Sequence, residues 1–296
     1  MTIRLNSMFT LSILLMIVAA CATTPRAGSW LRETNSLAYV VEDAQSLAKI
    51  HGTERVLVVF DIDNTLMAME QGLGSDQWYD WQSKLQLADP CDARLVGDRL
   101  AVQGALYYAS AMRPTQADAA QLVQRLQDDG LNVIALTSRG PAFRLATFRE
   151  LRRNGFSFYA SAIGPRRGYP DDFVPEGGSR NARYEEGVFL TAGQHKGDML
   201  RALLEKTGTP SPAIIVMADD KERNLQAVLE SFKGTGTAVH AWRYTREDGA
   251  VSSFDREKAT ELWLQIRPAL RQILTMLGRD NFYFPEYVSP EGCENR

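Results

Sequence analysis

The chain is short of the residues that most often carry soft-metal or redox chemistry, with only three cysteines and three histidines among its 296 residues. Cys21, Cys91 and Cys293 show no CxxC spacing, so a zinc ribbon or a thiol redox motif is excluded. His51, His195 and His240 likewise lack metal-ligand spacing and read as structural or solvated residues. Charge of one sign is missing as well. A net charge of -3 provides no basic field for nucleic acid, and no run of like charges is long enough to act as a tail. The apolar stretch from Phe9 to Ala20 falls short of the roughly 20 residues that a membrane-spanning helix needs. Internal repeats and low-complexity tracts are absent. What remains is ordinary globular composition, 45% apolar, enough to bury a core in one domain with insertions or in two small ones.

The first residues carry more information. Arg4 supplies a short positive region, the apolar stretch follows, and Val18-Ala19-Ala20 leads through small side chains into Cys21. That order is the pattern of an export signal with a cleavage site. It also resembles the bacterial lipoprotein signal, which implies that Cys21 becomes the lipidated first residue of a mature chain; the alternative is a plain secretory signal with a chance cysteine. Several acyl chains on one cysteine anchor durably, where one chain binds only marginally. The expected layout is a signal and lipidation site over 1–21, a polar tether over 22–36, and a catalytic domain over 37–296. The expected location is a membrane surface facing the periplasm. An oxidising compartment permits a disulfide between Cys91 and Cys293, and two separate buried thiols fit the spacing equally well.

Beyond the tether, strands and helices alternate. Continuous apolar runs at 55–60, 131–136 and 213–218 read as strands buried on both faces, 237–242 as a fourth and 156–163 as a weaker fifth. Helical patterns lie between them at 116–128, 142–154, 196–206 and 221–232, with a last long helix at about 256–277. Gly130, Gly155 and Gly208 fall where helix C-terminal caps are needed. The expected fold class is therefore α/β, a Rossmann-like, mostly parallel sheet with helices on both faces. Two stretches interrupt the alternation: an insertion at about 69–112 with helical pieces near 76–87 and 95–108, and a Gly- and Pro-rich loop at 164–186.

Each apolar strand ends in polar residues of one kind. The first ends in Asp61-Ile62-Asp63-Asn64-Thr65, and residues i and i+2 of an extended chain point the same way. The third ends in Asp219-Asp220. Strand ends of a parallel sheet gather along one edge, where ligands bind. Carboxylates converging there repel one another unless a cation relieves them, and oxygen ligands at this density suit Mg²⁺. The second strand ends in Thr137-Ser138-Arg139-Gly140, which offers hydroxyls and free backbone N–H groups, and Lys196 opens a helix. A metal, a hydroxyl or amide cradle and a fixed cation are the parts that a phosphoryl group requires.

These four elements, in this order, resemble the motif set of the haloacid dehalogenase superfamily. Asp61 to Thr65 matches its Asp-x-Asp-x-Thr motif, Thr137 its second, Lys196 its third, and Asp219, Asp220 and Asn224 its fourth. The resemblance implies a phosphomonoesterase with Asp61 as nucleophile and Asp63 as general acid and base. It implies Mg²⁺ held by Asp61, the main-chain carbonyl of Asp63, Asp219 and Asp220, with Thr137, Ser138 and Lys196 on the phosphoryl oxygens. Thr65 and Asn224 would orient the acidic loops. The 69–112 insertion resembles a small α-helical cap. Superfamily dehalogenases lack the second aspartate, so Asp63 favours phosphoryl chemistry on a small phosphorylated substrate. A phosphotransferase with an alcohol acceptor and a catalytically idle binding lipoprotein are the alternatives.

Other residues have quieter readings. Arg139 and Arg144 are either substrate contacts or surface charge. Trp78 and Trp81 share a helical face and are expected to pack the cap's own core. Phe282, Tyr283, Phe284 and Tyr287 are expected to pack the C-terminal tail against the sheet.

Overall fold

The computed structural model describes residues 28–276 together with Tyr287, Val288, Pro290, Glu291 and Cys293. The expected signal segment with Cys21, and Phe282, Tyr283 and Phe284, lie outside the described residues.

The strands are β1 (Trp30–Thr34), β2 (Val56–Phe60), β3 (Met67–Met69), β4 (Met112–Pro114), β5 (Asn132–Thr137), β6 (Arg183–Glu185), β7 (Val188–Leu190), β8 (Ile214–Asp219) and β9 (Ala238–Tyr244). The helices are α1 (Leu37–His51), α2 (Asp76–Ala88), α3 (Arg99–Ala109), α4 (Ala119–Asp128), α5 (Arg144–Arg153), α6 (Lys196–Thr207), α7 (Glu222–Phe232), α8 (Asp248–Ser252) and α9 (Arg256–Met276). Seven strands form one sheet in the order β1-β9-β8-β2-β5-β7-β6, parallel throughout except for the β6–β7 pair. The α/β, Rossmann-like expectation holds. Strand alternation divides the core into two layers. Val56, Val58 and Phe60 of β2 meet α1, α4 and α5 on one face, while Leu57 and Val59 meet α6 and α7 on the other. Gly130, Gly155 and Gly208 all have positive φ at the helix ends where caps were expected.

Three expectations are corrected. The polar tether does not run to residue 36, because Trp30–Thr34 pairs in parallel with β9 from Trp30 opposite His240 to Thr34 opposite Tyr244. The Trp30 ring packs on His240 and Trp242, a burial that outweighs the segment's polar composition. The weak strand at 156–163 is not a strand. Phe156, Phe158 and Ile163 are buried as separate plugs, and a single backbone–backbone bond joins the segment to β5, from the Val133 N–H to the carbonyl of Ser161. The place beside β5 is taken by β7, and its partner β6 arises at the end of the expected loop, where a further bridge pairs Phe173 with Ala182.

The insertion forms as expected, rooted on the antiparallel β3–β4 pair and carrying α2 and α3. Trp78 and Trp81 do pack its interior, with Leu73, Val96, Val102 and Leu106. The surprise is α9, whose Ala259 and Trp263 join that cluster, so the last helix belongs to the cap. Cys91, in the loop after α2, is bonded to Cys293. Tyr287 donates from its hydroxyl to the Pro90 carbonyl (2.6 Å), so it seats on the cap loop instead of the sheet. Cys293 and Tyr287 are thus both attached to the loop after α2.

Because β1 is a packed strand, a chain beginning at residue 36 is expected to be less stable than one beginning at residue 28. The difference should be about 2 kcal/mol or more, a discounted figure for a partly buried Trp. Urea unfolding of the two chains checks this; equal stabilities would return the segment to a passive tether.

Candidate functional site

The register of the sheet builds the site. Phe60 of β2 lies opposite Ala218 of β8, and Asp61 continues the ladder by donating its N–H to the Ala218 carbonyl (2.9 Å). The two strands therefore deliver Asp61 and Asp219 to the same edge. Immediately after β2 the chain turns back on itself. The N–H groups of Leu66 and Met67 bond the Ile62 carbonyl (3.0 and 2.9 Å), and Asn64 holds a positive φ of 57°. Asparagine tolerates that conformation better than most residues, which gives the Asp-Ile-Asp-Asn-Thr order a backbone reason.

Lys196 sits between the two strand ends. Its ammonium lies 2.7 Å from Asp61 Oδ1 and 2.7 Å from Asp219 Oδ2, and the residue is 2% exposed. Two features permit that burial. Lys196 is the first residue of α6, with His195 as its N-cap. Gly197 allows α6 to approach α7 so closely that a Cβ there would stand 2.2 Å from the Ala227 carbonyl. Burial opposes a charge on Lys196, but Asp219 and Asp61 outweigh it and raise the ammonium above its ordinary value.

The acidic groups are fixed one by one. Asn224 donates to both oxygens of Asp219 (2.9 and 3.1 Å), and the Lys221 N–H donates to Oδ1 (2.8 Å). Thr65 accepts the Asp220 N–H on its hydroxyl (3.0 Å). Thr65 and Asn224 therefore do orient the acidic loops. Oxygen atoms of Asp61, Asp219 and Asp220 all lie within 4.8 Å of one another. Burial, and then the neighbouring carboxylates, push Asp220 well above its usual range, and its Oδ1 is buried without a hydrogen-bond partner. Asp61 is pushed up to about 7, chiefly by burial, with Lys196 opposing and Asp219 and Asp63 reinforcing the shift. A carboxylate trio of this kind, with one oxygen orphaned, could hold a hard divalent cation.

Asp63 does not join that trio. Arg139 grips it from the core, Nε to Oδ2 (2.9 Å) and Nη2 to Oδ1 (2.8 Å), and the Tyr107 hydroxyl donates to Oδ1 from the cap (2.5 Å). Burial disfavours its charge, yet Arg139 and the Tyr107 hydrogen bond prevail and hold the carboxyl below its ordinary value. Arg139 itself is buried, bonded to Thr147 Oγ1 (2.9 Å) and lying 4.4 Å over the Tyr107 ring. Of the two arginines weighed from sequence, only Arg139 belongs to the site; Arg144 pairs with Glu185 away from it. Thr137 is fully buried and its hydroxyl accepts the Arg139 N–H (3.2 Å), while Ser138 is exposed on the loop beyond.

Sequence reasoning missed a second link from the cap. Lys221 reaches Asp76 (2.5 Å) and Asp80 (2.9 Å), one turn apart on α2. The i, i+4 pair of aspartates on one helical face was a legible signal, and a lysine directly after Asp219-Asp220 was another. Tyr107 left no signal of this kind, because it reads as one more apolar position of α3. Two of the histidines have structural roles, as expected: His195 caps α6, and His240 meets Asp43 (2.9 Å).

No curated protein matches the chain. A family model matches residues 33–272, from β1 into α9 and across every element that builds the site. The chain belongs to that family, the one described as protein of unknown function (DUF2608).

Proposed function

We propose that this protein is an exported, lipid-anchored phosphomonoesterase of the haloacid dehalogenase type, acting on a small phosphorylated substrate through an aspartyl-phosphate on Asp61. One observation carries the reading: Lys196 bridges Asp61 and Asp219 at 2.7 Å beside Asp220, whose Oδ1 has no partner. A purely structural acidic cluster would be expected to satisfy that oxygen. The motif order and the strand-end placement of its residues support the same reading.

Asp61, Asp219, Asp220 and the main-chain carbonyl of Asp63 would hold Mg²⁺, which when bound supplies a Lewis acid that offsets charge on the phosphoryl oxygens. The chain's own residues do the rest. Asp61 attacks phosphorus through the oxygen that Lys196 does not hold, and the bond from phosphorus to the leaving oxygen breaks with its electron pair on that oxygen. Asp63 takes the proton that arrives with the phosphate monoanion and passes it to the leaving oxygen. It then accepts a proton from the water that cleaves the bond between phosphorus and Asp61. Lys196, the Thr137 hydroxyl and the loop at Ser138 face the phosphoryl oxygens as charge develops on them. Asp76, Asp80 and Tyr107 keep the cap seated over the reaction.

Asp61→Asn is expected to abolish turnover of a generic phosphate ester, a fall of about 10⁴-fold or more. Its melting temperature should be unchanged or higher, since a strained buried carboxyl is removed. Full activity in this variant would eliminate Asp61 as nucleophile.

The pH dependence has a definite sign. Without metal, the folded pKa of Asp61 stands near 7 against 3.8 for the free carboxyl, so this group favours the fold below about pH 4 and loses that advantage as pH rises towards 7. A divalent cation must displace that proton to bind. Thermal stabilisation by Mg²⁺ should therefore be larger at pH 8 than at pH 5.5, and calorimetry showing the reverse order would count against Asp61 as a ligand. Cys21→Ser should release the protein from the membrane fraction, and retention there would remove the lipid anchor.

A further inference from the structure

The contacts of Asp63 carry one inference beyond that reading, and it rests on the reaction proposed above. A carboxylate oxygen has two lone-pair sites. On Oδ1 both are filled, one by Arg139 Nη2 at 2.8 Å and one by the Tyr107 hydroxyl at 2.5 Å. On Oδ2 one is filled, by Arg139 Nε at 2.9 Å. We propose that Tyr107 is a positioning residue for proton transfer: together with Arg139 it saturates Oδ1 of Asp63 and leaves Oδ2 as the atom that gives and takes the proton.

The two partners come from different parts of the molecule. Arg139 is held by the core, its N–H on Thr137 Oγ1, its Nη1 on Thr147 and its Nη2 also 3.1 Å from Met112 Sδ. The bonds to Thr137 and Thr147 come from the core, while the cap adds the Tyr107 ring, 4.4 Å from the guanidinium. Tyr107 belongs to the cap helix α3, and its hydroxyl reaches Oδ1 only when the cap is seated. Its position is enforced from two sides. Its ring stands edge-on to Phe143 at 5.5 Å, and Arg149 caps the end of α3 by donating to the carbonyls of Tyr107 (2.8 Å), Tyr108 (2.7 Å) and Ser110 (2.9 Å). Arg149 is in turn bonded to Glu150 (2.8 Å), which also accepts the Met112 N–H (2.8 Å) at the root of the cap. A chain of hydrogen bonds therefore runs from Glu150 and Arg149 of α5 to the end of α3, and the Tyr107 side chain carries it on to one oxygen of Asp63. Without the Tyr107 hydroxyl, Oδ1 has a vacant site and competes with Oδ2 for the proton, so part of the population presents it in the wrong direction.

The test separates substrates by what their leaving group needs. An alkyl phosphate such as glycerol phosphate must have its leaving oxygen protonated, whereas p-nitrophenyl phosphate expels a stable anion. In Tyr107→Phe, the ratio of kcat on the alkyl ester to kcat on the nitrophenyl ester is expected to fall about tenfold or more, a fraction of the 10²–10⁴ attributed to general acid catalysis. KM for both should move little. Asp63→Asn should lower the same ratio, and Tyr107→Phe added to Asp63→Asn should lower it no further, because the carboxyl proton that Tyr107 directs is then gone. Arg149→Ala, which unfastens the helix end without touching Asp63, provides a second route and should shift the ratio in the same direction by less. An equal fall on both esters in Tyr107→Phe and Arg149→Ala, or an additive double variant, would overturn the inference. Activity surviving in Asp61→Asn would instead overturn the reaction beneath it.

Discussion

Three carboxylates meet at one end of a buried parallel sheet, and the ammonium of Lys196 is what lets them do so. Asp219 is fully buried and Asp61 nearly so, and neither could stay charged there without a partner. Lys196 contributes one cation to both at 2.7 Å. Much of the surrounding structure serves that contact: the β2–β8 register that brings the strand ends level, the α6 N-terminus that starts at Lys196, and Gly197, whose missing side chain lets α6 press onto α7. Asp220 Oδ1 stays without a partner, and burial, reinforced by the neighbouring carboxylates, displaces both Asp61 and Asp220 upward.

The cap is attached to this edge by charge and to itself by apolar packing. Lys221 ties α2 to the loop that carries Asp219 and Asp220, and Tyr107 ties α3 to Asp63. These contacts are polar, although the Tyr107 ring also packs on Phe143 of the core. The cap's interior is different. Trp78, Trp81 and Trp263 share one cluster, and the bond between Cys91 and Cys293 spans 202 residues of sequence. Any movement of the cap must therefore carry α9 and Cys293 with it.

The same physics explains why Asp61 and Asp63, two residues apart, have opposite surroundings. Asp61 continues a buried strand, faces Lys196 and Asp219, and has its carboxyl displaced upward. Asp63 has already left the strand through the Ile62 turn and meets a bidentate guanidinium and a phenol, which lower it. Two carboxylates in such different surroundings hold their protons differently.

Much of this was readable in the chain itself. Continuous apolar runs specify buried parallel strands, so β2, β5 and β8 and the alternating helices followed from local pattern, and with them the gathering of Asp61, Thr137 and Asp219 on one edge. What composition misjudged were segments whose structure comes from remote partners. Trp30–Thr34 is a strand because β9 offers it an edge and His240 and Trp242 a surface, while 156–163 is not one because β7 holds the place beside β5. Arg139 illustrates the limit best. In sequence it is a charge beside a helix and as compatible with solvent as with substrate; only packing against Thr147, Tyr107 and Asp63 makes it a buried clamp. Residue types and their order determined which groups could do chemistry, because backbone periodicity is local. Which of them touch was decided by long-range packing, because a side chain's charge has no fixed partner until the chain has folded around it.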